Sequence, residues 1–156
     1  MKERLLQLDI GEVLDRRIHE NLQPAERSAM LEVAYLAIAA DGKLVDEELE
    51  AFAQAMLLLF GPDSSPDQVK RTVAELVSGF ERGDDQARLA ELAADLARPY
   101  ARDQTYKLAY AMAMSDLDTD DQEFAFDQRL RRALGLSDEQ AERLIDSIID
   151  AINPVI

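Results

Sequence analysis

Two acidic segments carry residue types and spacings that could do chemistry. The first reads Ala39-Ala40-Asp41-Gly42-Lys43-Leu44-Val45-Asp46-Glu47-Glu48. The second reads Met114-Ser115-Asp116-Leu117-Asp118-Thr119-Asp120-Asp121-Gln122-Glu123, seventy-five positions later. In each, an Asp closes an apolar run and a Glu follows seven residues on, pairing Asp41 with Glu48 and Asp116 with Glu123. Aligning 32–49 with 107–124 gives five identities in eighteen: Ala34/Ala109, Tyr35/Tyr110, Asp41/Asp116, Asp46/Asp121 and Glu48/Glu123. Carboxylates that converge across a turn supply the hard oxygen ligands that a divalent cation of the calcium or magnesium class requires. The same carboxylates can instead cap helices, because a side-chain oxygen at a helix start accepts from backbone N–H groups that have no partner in the helix.

The two segments differ in how well they suit each role. Asp41 falls at a helix C-terminus, where the helix dipole disfavours an anion, whereas Glu48 falls in a first turn, where it is favoured. Asp120 reads as an N-cap with Glu123 three residues on, which is a capping-box pattern. Asp116, Asp118 and Asp120 also occupy the first three alternating ligand positions of an EF-hand loop. The sixth position, which needs Gly, is Asp121, and the twelfth, which needs Glu, is the shorter Asp127. A standard EF-hand is therefore not expected. Lys43 stands where the second segment has Asp118 and would oppose a cation. The candidate ligand set is Asp41, Glu48, Asp116, Asp118, Asp120 and Glu123, with the second junction the better site.

The elements that must position these acids read as helices from end to end. Apolar residues recur at i, i+3, i+4 and i+7. Leu6, Ile10, Val13, Leu14 and Ile18 mark a first helix. Pro24 opens a second that carries Leu31, Ala34, Tyr35 and Ile38. A third carries Leu49, Phe52, Ala53 and Met56, and stops at Gly61-Pro62. Ser65-Pro66-Asp67-Gln68 is a capping-box start for a fourth, and Asp84 or Asp85 caps a fifth that breaks at Arg98-Pro99. The sixth holds Tyr106, Ala109, Tyr110 and Ala113 and runs to about Met114. The seventh holds Phe126, Leu130, Ala133 and Leu134, with Gly135 as its C-cap. Ser137-Asp138-Glu139-Gln140 is a second capping box and opens the eighth. No stretch alternates with a period of two. The expected fold is an all-α single-domain bundle of seven to eight helices spanning 1–156. An internal pseudo-two-fold repeat is expected to relate about 24–82 to 99–152.

Composition excludes several function classes. The chain has 156 residues and a formal net charge of −15, from 32 acidic against 17 basic side chains. A surface of that sign repels phosphate backbones, so no nucleic acid is expected. It favours cations or basic protein segments. The absence of cysteine removes thiolate zinc sites and cysteine nucleophiles, and fits a reducing compartment. A single histidine, His19, rules out an HExxH zinc site; it reads as a surface or capping residue. No apolar run is long enough to span a bilayer, and the N-terminus shows no signal-peptide core, so a cytoplasmic location is expected without direct membrane insertion. A phosphate-cradling loop and a nucleophile elbow are both missing, and no enzyme is expected.

Ala40-Asp41-Gly42, the apolar run Leu31 to Ala39 before it and the Glu47-Glu48 start after it resemble the tellurite-resistance TerB-like family. So does the second junction, Asp116 to Glu123, followed by Leu134-Gly135-Leu136 and a final helix. The resemblance covers about residues 24–150. It implies an all-α fold of roughly seven helices with internal symmetry. It also implies a role in tellurite resistance and stress responses, acidic sites that hold metal, and work with membrane-embedded partners. Related domains open some membrane-anchored DnaJ-like co-chaperones, but no His-Pro-Asp sequence is present. Carried over by position, the acidic sites are Asp41 with Glu48, and Asp116 with Glu123. Leu117, where a second Gly is expected, and Val45, where a Ser or Thr cap is expected, depart from the pattern.

The remaining residues of note read as structural. Tyr35 and Tyr110 are expected in the core with their hydroxyls bonded at its rim, and Met112 and Met114 as core filler. Ala55 to Phe60 is expected as a buried helix contact. Arg129, Arg131 and Arg132 read as a solvated face, or as a patch that meets an acidic partner. The expected function is a non-catalytic binding and stress-response module that uses its acidic junctions for a divalent cation or a basic partner segment. The alternative is a structural adaptor whose carboxylates only cap helices.

Overall fold

The computed structural model describes residues 14, 17–39, 46–60, 67, 71, 74–75, 85–114 and 121–152. All regular structure among them is helical. A single helical turn, α1 (Ile18–Asn21), precedes six longer helices. These are α2 (Pro24–Ala39), α3 (Asp46–Phe60), α4 (Asp85–Asp95), α5 (Pro99–Met114), α6 (Asp121–Leu134) and α7 (Asp138–Ile152). Positions 67, 71, 74 and 75, within the expected fourth helix, are helical as well.

Pro24 and Pro99 each open a helix of 16 residues. Proline suits a first helical position because its φ is already helical and the N–H it lacks would have no partner there. The carbonyl just before each proline accepts the first intrahelical bond, from Arg27 N to Gln23 O (3.0 Å) and from Arg102 N to Arg98 O (3.1 Å). The next helices start at Asp46 and Asp121, so both starts recur seventy-five positions apart.

α2 and α5 make the most extensive contact in the fold. From Ala29 to Ala37 every residue of α2 except Glu32 is buried. α5 buries Ala101, Tyr106, Leu108, Ala109, Ala111 and Met112. A helix that is apolar around most of its circumference belongs inside a bundle, and alanines at 29, 34, 37, 101, 109 and 111 keep both backbones narrow enough for close packing. α3 packs on α2, α6 on α5, α4 on α2 and α6, and α7 on α5. The run Ala55 to Phe60, expected as a buried helix contact, is split by helical geometry: Ala55, Met56 and Leu59 face the core, while Leu57 is 45% exposed.

The helix ends are closed by named groups. α6 ends in a Schellman motif, with Leu136 N bonded to Arg131 O (2.9 Å) and Gly135 N to Arg132 O (3.2 Å). Gly135 takes φ +68°, the left-handed conformation that costs residues with a Cβ. Ser137 Oγ accepts from Gln140 N (3.1 Å) while Gln140 Oε1 accepts from Ser137 N (2.9 Å), which is the reciprocal capping box expected for α7. Arg102 closes two further ends. Its Nε donates to Leu96 O (2.5 Å) and its Nη1 to Leu134 O (2.9 Å), tying the segment after α4 and the end of α6 to α5.

Beside the Arg102 closures, Glu26 is 4% exposed. Arg98 grips it in a fork, through Nε (2.8 Å) and Nη2 (2.5 Å), and also donates to Asn21 O (2.7 Å). Gln23 N donates to the same carboxylate (2.8 Å). The Arg98 hydrogen bonds hold the Glu26 carboxyl below the usual glutamate range, against the opposing effect of burial.

Two predictions follow from these closures. Gly135→Ala forces a Cβ into the left-handed conformation and to 3.2 Å from the Arg102 guanidinium. It should cost about 1–2 kcal/mol, seen as a melting temperature lower by about 2–8 °C. Because the Glu26 pKa is depressed, its contribution is present above the ordinary glutamate pKa and is lost as pH falls through the lower folded value. Glu26→Gln should therefore lower stability at neutral pH and flatten the acid limb of a pH–stability curve measured by urea unfolding. An acid limb as steep as the wild type's would contradict this role.

Candidate functional site

The acidic junctions lie between helices that pack on one another: α2 leads to α3 and α5 leads to α6. Residues 40–45 and 115–120 connect them. Asp41, Asp116, Asp118 and Asp120 lie outside the described residues. Glu48 and Glu123 are each the third residue of their helix, α3 and α6. This is the first-turn position expected for them, where a carboxylate is favoured by the helix dipole and can reach a backbone donor. Their side chains also lie outside the described residues. Among the described residues no group of three or more Asp, Glu or His side chains is placed to hold a metal ion.

One turn beyond Glu123 on α6, the structure resolves what the EF-hand count left as Asp127. Its Oδ1 accepts from the Tyr106 hydroxyl (2.6 Å) and its Oδ2 pairs with Arg131 Nε (3.0 Å). Arg131 Nε also donates to the Tyr106 oxygen (3.2 Å), and Nη1 reaches Asp138 at the start of α7 (3.4 Å). A carboxylate already paired with a guanidinium and hydrogen-bonded to a phenol is a poor twelfth ligand for a cation.

The same network corrects the expectation for the arginine cluster. Arg131 is not part of a solvated face: its side chain is 15% exposed and lies with its Cζ 5.8 Å from the Tyr106 ring centroid. Its position four residues after Asp127 puts the two on one side of α6, facing α5. Arg132 is exposed, as expected. Tyr35 is buried and meets Phe52 edge-on (6.0 Å), whereas Tyr110 is half-buried and lies 6.2 Å from Tyr106. Met112 is core, as expected.

Two polar assemblies were missed when the sequence was read alone. For Tyr106–Asp127–Arg131 the available signal was an Asp and an Arg at i, i+4 on the apolar side of α6, next to Phe126 and Leu130. For Glu26–Arg98 it was a Glu three residues after the N-cap Gln23. Neither signal names its tertiary partner. A third pairing, the fork of Arg88 on Glu32 with Glu91 beside it, ties α4 to α2 (Nη2 to Glu32 Oε1, 2.6 Å).

Comparison with known proteins gives no match: no family model fits the chain, no curated protein is significantly similar, and no solved structure matches the fold. Among the described residues, no helix is long and apolar enough to cross a membrane.

Burial raises the pKa of both Tyr106 and Tyr110, and the Asp127 charge adds to it. Groups with raised pKa values stabilise the fold below the ordinary tyrosine pKa, and that contribution is lost as pH rises through the folded value. In a spectrophotometric titration the Tyr106 and Tyr110 phenols should ionise late, and Tyr106→Phe should remove one late component. Four phenols ionising together near pH ~10 in the folded protein would rule the network out.

Proposed function

We propose that the chain is a non-catalytic helical binding module of the TerB-like type, built from two matching halves. Its acidic interhelical junctions take a divalent cation of the calcium or magnesium class, or a basic segment of a protein partner. The observation that carries this reading is the matched framing of the two junctions. Each follows a sixteen-residue helix opened by proline. Each leads into a helix whose first and third residues are Asp and Glu: Asp46 and Glu48, then Asp121 and Glu123. Contacts of α2 with α3 and of α5 with α6, with α2 against α5 between them, fit a rough two-fold relation of the halves. The net charge of −15 supports a cationic ligand or partner.

On this reading the ligands are Asp41 with Glu48, and Asp116, Asp118 and Asp120 with Glu123. The ion would supply charge neutralisation that lets these carboxylates approach one another. Asp127 remains with Tyr106 and Arg131 and stays outside the set. The module works in the cytoplasm, in a stress response such as tellurite resistance, and docks a basic or membrane-embedded partner protein. The second reading, a structural adaptor, is favoured by the same first-turn placement of Glu48 and Glu123, because a glutamate at that position caps a helix without any ion.

Thermal melting separates the two. The chelated protein is titrated with Ca²⁺, Mg²⁺, Mn²⁺ and Zn²⁺ beside Asp116→Asn. A ligand at a hundred times its dissociation constant stabilises by about 2.7 kcal/mol, a rise on the order of 5–10 °C at this size. The metal-module reading expects a saturable rise with one ion that the variant loses. A flat response to every ion would leave the adaptor and turn the search toward protein partners.

A further inference from the structure

Gln23-Pro24 divides the start of the described chain into two mechanical parts. A residue that precedes proline is pushed out of the helical region, and Leu22 has already left it, with φ −106° and ψ 143°. α1 therefore does not run on into α2. On the α2 side, Glu26 accepts from Gln23 N without help from α1. On the α1 side, Leu22 N bonds to Ile18 O (3.1 Å), and Glu20 N and Asn21 N bond to Arg17 O (3.0 and 3.2 Å). A helix of four residues does not persist alone, because nucleating it costs more than one turn returns. α1 is held by what it rests on and by what ties its end.

Leu14, Ile18 and Leu22, four residues apart, are 4%, 0% and 5% exposed. The longer helices all pack on α2 or α5, whereas α1 packs chiefly on α3. The central pair can therefore stay packed when α1 leaves. Arg98 stands across the break. Its Nη2 donates to Asn21 O (2.7 Å) on the α1 side, and its Nε and Nη2 grip the Glu26 carboxylate on the α2 side. The Arg98 side chain is 47% exposed, so water can replace the Asn21 carbonyl without entering the core. We propose that Leu14 and residues 17–22 form a strap, hinged at Leu22-Gln23 and latched by Arg98, which opens as a unit while the rest of the bundle stays folded. Local openings of this kind occur at free energies below that of global unfolding. Closed, the strap covers the part of α3 on which it rests. Open, it exposes that part together with its own three apolar side chains. The strap is separate from the acidic junctions and works whether or not they take an ion.

Hydrogen exchange of the full chain, read amide by amide by NMR at rising sub-denaturing urea, tests the strap. The Glu20, Asn21 and Leu22 amides should exchange through an opening that depends less on urea than the one that releases α2 and α5, because it exposes less surface. Equal urea dependence of strap, α2 and α5 amides in the wild type would overturn the strap. Two variants then test the latch. Arg98→Met with Glu26→Gln removes the donors without leaving a buried charge, and Glu26→Gln alone leaves Arg98 in place to hold Asn21. Loss of a hydrogen bond from a charged donor should speed exchange of the three strap amides about tenfold in the double variant relative to Glu26→Gln, with the α5 amides unchanged. Strap amides that exchange alike in the two variants, or strap and α5 amides accelerated together, would overturn the latch.

Discussion

The structure depends on α2 and α5 having almost no side that faces water. Each packs its longest contact against the other, and their outer surfaces are covered by α3, α4, α6 and α7. Burial of this kind is the main favourable term in folding, but it places a condition on every polar group the two helices carry. Each must find its partner inside the protein or at the rim. Thr105 meets the condition locally by bonding back to Ala101 O (2.6 Å). Glu26, Arg102 and Tyr106 meet it by reaching other segments of the chain, and those three connections fix how the surrounding helices sit on the central pair.

The three connections have different physical characters. Glu26–Arg98 is a charge pair closed by a planar fork, with the arginine half in solvent and the carboxylate nearly enclosed. It joins the start of α2 to the segment that enters α5. Arg102 spends its donors on backbone carbonyls that face the exit of α4 and α6, where the helices leave such groups without partners. It acts as a shared cap for two helices. Tyr106 works through a side chain on α6 and brings in Arg131, which extends the network to Asp138 at the start of α7. The start of α2, the exits of α4 and α6 and the side of α6 are thus each held by a different kind of bond.

That arrangement bears on the acidic junctions. Each junction leaves a central helix and enters an outer one. Asp127 lies one turn beyond Glu123 and is bound to Arg131 and Tyr106, which confines the remaining acidic character to residues 116–123. The many carboxylates elsewhere are largely surface groups: on α7, Asp138, Glu139, Glu142, Asp146 and Asp150 are all exposed.

How much of this was legible in the sequence follows from the range over which each force acts. Helix starts at Pro24, Pro99 and Asp121, the C-cap at Gly135 and the capping box at Ser137 and Gln140 depend on neighbours within four residues, so the sequence by itself determined them. The apolar period of 3.6 likewise determined that the chain is helical and which face of each helix is core. It did not reveal that α2 and α5 are the two enclosed helices, because a wide apolar surface does not say which other helix will cover it. Arg98 with Glu26, Arg102 with the carbonyls of Leu96 and Leu134, and Tyr106 with Asp127 are separated by between 6 and 72 residues. A charge or a hydroxyl in the sequence carries no label for such a partner. Only the tertiary structure decided those pairings, since a polar group needs a particular partner only where water is excluded from it, and that exclusion exists only once the helices have packed.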